Sequence, residues 1–274
     1  EDYKKSLYFA KPEERGFTKI LNLTVNYKIA AFSSEKNKED IIKVVLNESL
    51  KPKDSIVINT TYTVKVADAK FTGYGKTKTG YHLRFWHLIP AVYTNNWQLM
   101  SNLNIDDLLA DITNYQIQFT TPKNLILTSN LTTNKVSESK YELKGNNKTD
   151  VIVSIETQNN YKTYQTEKVK ITTDIPIEDL SQKLTTDILN REINFIESYL
   201  GKYPHKELLL DQVSQKKNPI YGLNQLPNFL SPFSGVFDRD LTLFKAVSRK
   251  YIDNTLLLNK RTDYWLADGI HIFL

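Results

Sequence analysis

The sequence predicts an all-β domain over residues 1–173, a sandwich or saddle-like open barrel, followed by the first part of an α+β domain over residues 174–274. Two observations carry that division. Up to residue 173, short runs of β-branched and aromatic residues with partial alternation are separated by turn residues, the signature of many short strands. Beyond it, apolar residues recur three or four apart, the period of a helix with one buried face. The change falls at Asp174-Ile175-Pro176.

Taken in order, residues 55–64 and 115–119 read as strands, with Lys51-Pro52-Lys53-Asp54, Gly73-Tyr74-Gly75, Asn95-Asn96 and Gly145-Asn146-Asn147 as turn material. A first helix is expected over residues 177–200, with Ile177, Leu180, Leu184, Ile188, Ile196 and Leu200 on its apolar stripe and Gly201 as its stop. A strand over 207–213 follows. A loop holding Pro219, Pro227 and Pro232 then leads to a second helix over 241–258. The apolar end, Gly269 to Leu274, reads as the start of a buried element, with the polypeptide expected to continue.

Composition excludes several classes. The apolar share of 40% and charged share of 24% are those of a globular protein rather than a disordered one. A net charge of +5 without a dense Lys/Arg run interleaved with aromatics argues against nucleic acid. No cysteine is present, which removes disulfides, thiolate metal sites and cysteine nucleophiles, and fits export to an oxidising compartment. No apolar run is long enough to span a bilayer.

The segment from Tyr81 through Arg84, Trp86 and Pro90 to Tyr93 is followed by Asp111-Ile112-Thr113-Asn114-Tyr115, Pro122-Lys123-Asn124-Leu125 and Ser129-Asn130, and after the first helix by Gly201-Lys202-Tyr203-Pro204. In that order these segments resemble the aminopeptidase-N-type gluzincin zinc metallopeptidases, over nearly the whole chain. The resemblance implies that the second part is the start of a thermolysin-like peptidase domain, with the β-domain closing one side of its cleft.

It also says where active-site residues should lie. The family's Gly-x-Met-Glu-Asn-Pro segment is matched by Gly222-Leu223-Asn224-Gln225-Leu226-Pro227. Gln225 stands where the family's Glu takes the substrate's amino group, and a neutral amide supplies no charge for it. The zinc motif is His-Glu-x-x-His, eighteen residues, then Glu. Two His at i and i+4 share a helix face, and the inner Glu activates the metal-bound water. Tyr251-Ile252-Asp253-Asn254 and Trp265-Leu266-Ala267-Asp268-Gly269 resemble the flanking residues and set the register. That register puts Lys245 and Arg249 at the two His, Ala246 at the base and Asp268 at the ligand Glu. The resemblance therefore implies a pseudo-peptidase with no catalytic residue at these positions, no metal and no cofactor.

Two cations on an otherwise apolar stripe need a counter-charge, and the resemblance implies Asp268 as the one carboxylate brought there, so an Arg249–Asp268 ion pair is expected, with Lys245 joining it or reaching solvent. The four histidines, His82, His87, His205 and His271, read as packed or surface residues, because no third ligand is placed beside His271 and Asp268. Ser248 has no histidine near it in sequence, so no Ser-His-Asp arrangement forms. The expected role is a binding or scaffold subunit of a cell-envelope assembly, extracytoplasmic, with protein partners. The alternatives are a metal-independent peptide-binding module, and a metallo-aminopeptidase with an unrecognised site.

Overall fold

The computed structural model describes residues 9–35, 38–99, 108–177, 180–217 and 233–274. Between Phe17 and Thr173 every regular element among the described residues is a strand, and α-helices begin at Gln182. Ile126–Ser129, Ile152–Glu156, Gly80–Arg84 and Gly75–Lys76 form a four-stranded antiparallel sheet in that spatial order. A three-stranded sheet of Thr113–Thr120, Lys140–Lys148 and Thr132–Lys135 packs on it.

The core between them holds Leu83, Leu127, Leu143, Val151 and Val153, against which Trp86 and Phe119 pack edge to face at 5.8 Å. Strand Thr113–Thr120 shows why its period is two. Thr113, Tyr115, Ile117 and Phe119 are half-buried while the residues between them are exposed. A third sheet pairs Phe17–Val25 with Lys28–Ile29 and Ile58–Lys65.

Helix α1 (Gln182–Leu200) starts five residues later than its apolar period suggests, because Ser181 caps it by accepting from the Leu184 backbone N–H. Gly201 ends it at φ 81, a conformation that favours glycine. The strand expected over 207–213 is shorter, Glu207–Leu210, and Gln212–Lys217 forms a short helix, α2. Helix α3 (Gly235–Thr255) begins and ends earlier than 241–258, capped by Ser234. Helix α4 (Tyr264–Phe273) closes the described chain. Within it Ala267 is the buried residue, while Ile272 and Phe273 are 77% and 74% exposed.

Strand Lys170–Thr173 pairs antiparallel with Lys162–Gln165 and parallel with Glu207–Leu210, with α1 as the crossover. Its Ile171, together with Tyr164 and Val169, packs into one core with Ile188, Leu189, Ile193 and Ile196 of α1 and Leu243 and Val247 of α3. The division expected at residues 173/174 thus falls between a strand and the helix that packs on it, inside a shared core.

Candidate functional site

Helix α3 is buried on almost every side from Leu243 to Ile252, including Arg249 and Lys250. A helix so enclosed carries cations only where they find partners inside the protein. Arg249 faces α4, and its Nη1 donates to Asp268 Oδ1 at 2.6 Å, with the Arg249 side chain 7% exposed and that of Asp268 31%. The expected ion pair is present. Arg249 Nε also lies 3.4 Å from Asp253 Oδ1 one turn on, and Lys260 Nζ lies 2.9 Å from the same oxygen. Burial alone would raise the Asp253 carboxyl, but Lys260 and Arg249 bring it down to about 2.

Lys245 neither joins that pair nor reaches freely into solvent. Its Nζ donates to the His271 carbonyl at 2.8 Å, and His271 Nε2 donates back to the Lys245 carbonyl at 3.0 Å. The two residues clasp α3 to the end of α4, where a cation suits the helix carbonyls. Partial burial lowers the Lys245 pKa. Ala246 is buried in the helical core. Gly222 and Gln225 lie outside the described residues.

As a donor set, Lys245, Arg249 and Asp268 do not fit a zinc ion. An ammonium and a guanidinium have no lone pair to give, and one carboxylate remains. His271, the nearest imidazole in sequence, spends Nε2 on the Lys245 carbonyl. Among the described residues no group of three or more His, Cys, Asp or Glu side chains is gathered as a metal would need.

A second charged centre, which the sequence reading missed, forms around the neighbouring Lys250. Asp211, fully buried just after strand Glu207–Leu210, pairs with Lys250 Nζ at 3.0 Å and stands 3.7 Å from His82 Nε2. The Ser214 backbone N–H donates to its Oδ1 at 2.8 Å. Burial would raise the Asp211 carboxyl, but Lys250, His82 and the Ser214 N–H outweigh it and hold it well below the usual carboxylate range. Lys250 also donates to Ser214 Oγ at 3.1 Å, which lies 2.9 Å from Tyr74 OH, and the Tyr74 ring stacks on His82 at 5.2 Å. Gly73, at φ 78, has no room for a side chain because a Cβ would lie 2.5 Å from Val213 Cγ1 of α2. His82 is thus a packed residue as expected, in a cluster that joins the sandwich to α2 and α3. A buried Asp and a buried Lys thirty-nine positions apart carry no local spacing signal. Only their improbable burial, seen together, gives them away.

No protein-family profile matches the sequence, and no curated protein matches it. Solved structures do. The M1 zinc metallopeptidase of Deinococcus radiodurans is similar at a TM-score of 0.57 and 10% identity, over 94% of this chain and 59% of that one. A mutant of that protein bound to a Tyr-Ser-Ala substrate gives 0.54 at 11% identity, over 94% and 60%. A two-domain M1 zinc metallopeptidase mutant bound to L-tryptophan gives 0.56 at 11% identity, with the same coverage. The chain therefore spans about 60% of the length of the structures it resembles. At such identity the likeness establishes a metallopeptidase-like fold and nothing of its chemistry.

Proposed function

We propose that this protein is a catalytically inert metallopeptidase-like chain that works through its surfaces, as a binding or scaffold subunit of a cell-envelope assembly. The observation that carries the reading is the Arg249–Asp268 pair at 2.6 Å, with Lys245 held on the His271 carbonyl at 2.8 Å. In the register implied by the resemblance, these are the positions of the metal ligands. Two cations there repel a divalent ion, by roughly 8 kcal/mol each at about 4 Å and an effective dielectric of about 20. Ala246 in the place of the general base leaves no group to take a proton from water.

In this reading the all-β part and the start of a thermolysin-like domain are kept as a frame, while Gln225 no longer supplies a charge to an amino terminus. Exposed Phe17, Leu21, Tyr27 and Ile29 on and beside the sheet of Phe17–Val25, from 56% to 85% exposed, support a role in contacts. An extracytoplasmic placement is compatible with the cysteine-free composition.

Elemental analysis of the purified protein, with hydrolysis of aminoacyl substrates followed in parallel, tests the reading. Sub-stoichiometric zinc and turnover equal to buffer are expected. Stoichiometric zinc that disappears in Asp268→Ala would overturn the proposal, as would chelator-sensitive cleavage by the native protein.

A further inference from the structure

A cavity of about 60 Å³ lies where the sandwich meets α3 and the loop that follows it. Four cations line it: Arg84, Lys148, Lys250 and Lys260. Three have their own counter-charge, Arg84 on Asp150 at 2.8 Å, Lys250 on Asp211 at 3.0 Å and Lys260 on Asp253 at 2.9 Å. Of the wall's own carboxylates, Asp150, Asp253 and Glu207, the last is paired with Lys170 at 3.2 Å. Lys148 is different. Half-buried at the end of strand Lys140–Lys148, it makes no ion pair among the described residues. Burial lowers its pKa in spite of the more distant Asp150 and Glu207. The rest of the wall includes apolar Ile152, Leu209 and Leu256.

We propose that this cavity binds a small apolar monocarboxylate, with the carboxylate on Lys148 Nζ and the alkyl end against Ile152, Leu209 and Leu256. A neutral ligand would leave the half-buried ammonium uncompensated. A phosphate dianion would carry more charge than one ammonium balances and would face the wall's own carboxylates. About 60 Å³ gives room for roughly four to six atoms of water size, which suits an acid the size of isobutyric acid. The cavity wall does not include Lys245, Ala246, Arg249 or Asp268, on which the inert-peptidase reading rests, so either idea can fail without the other.

The test is a titration of the protein with isobutyrate and with its neutral isostere isobutyramide, followed by NMR. Saturable binding of isobutyrate is expected, with the amide weaker by roughly tenfold, the worth of a charge-assisted hydrogen bond. His205 supplies an independent readout. Burial, with the neighbouring charge of Lys148, brings its imidazole down to about 4, and a carboxylate on Lys148 should move that titration upward. Lys148→Arg should keep the binding and Lys148→Met should lose it. The proposal is overturned by equal binding of acid and amide, by binding unchanged in Lys148→Met, or by no saturation with the acid. If Lys148→Met fails to fold, the comparison of acid and amide on the native protein decides.

Discussion

Arg249 and Asp268, nineteen positions apart, meet at 2.6 Å between the two helices α3 and α4. The pair is not isolated, because Arg249 keeps Asp253 at 3.4 Å on its other side. That second partner sets the expectation for breaking the first.

Asp268→Asn should cost roughly 1–2 kcal/mol, between the ~0–1 of an exposed pair and the ~3–5 of a buried pair that loses one member. Asp268 is about a third exposed, and Arg249 is not left alone when it goes. Urea denaturation of the two proteins reads the difference. A loss near the upper figure would mean that Asp253 does not share the charge.

Asp211 should behave more severely. It is wholly buried and its carboxylate answers Lys250, so Asp211→Asn leaves a buried ammonium and is expected to cost about 3–5 kcal/mol. Lys250→Met together with Asp211→Asn should cost less than the two single changes added. The pH dependence has a fixed sign. A carboxyl held low in the folded protein contributes stability above its unfolded pKa of about 3.9, and that contribution is lost as pH falls through the folded value. The gap between native protein and Asp211→Asn should therefore be constant near neutrality and close in strong acid. A gap that widened on acidification would contradict the ion pair.

Ile171 offers a test of which body its strand belongs to. It is fully buried among side chains of α1 and α3, so Ile171→Ala should cost about 2–5 kcal/mol. Hydrogen exchange should quicken in α1 and α3 more than in strand Ile152–Glu156 of the sandwich. Faster exchange in the sandwich strand first would place Ile171 with the wrong body.

What the sequence let one read follows the range of the interaction that decides each feature. Lys245 and Arg249 sit one helical turn apart, and a flanking pattern fixes Asp268 opposite them, so their meeting was legible in one dimension. The hydrogen bond from Lys245 to the His271 carbonyl was not, because backbone acceptors carry no sequence label. The same holds for helix starts. Ser181 and Ser234 decide where α1 and α3 begin, and capping is a weaker signal than apolar period. The pairing of Lys170–Thr173 with Glu207–Leu210 spans a whole helix, and nothing in residues 162–173 taken alone distinguishes them from the strands before them. Gly222 and Gln225 fall outside the described residues, so their reading rests on the resemblance.

The parallel rungs from Lys170–Glu207 to Thr173–Leu210 also determine where this protein can bend. A swing of the sandwich against the helices cannot pivot at residue 174, since that would shear four rungs and the Ile171 core with them. Among the described elements the chain crosses from sandwich to mixed sheet once, through residues 157–161. That stretch, Thr157-Gln158-Asn159-Asn160-Tyr161, is the covalent link between the two sheets. Tyr74 and His82 meet Ser214 and Asp211 across the same junction, so a buried polar cluster also ties the sandwich to α2 and the end of strand Glu207–Leu210.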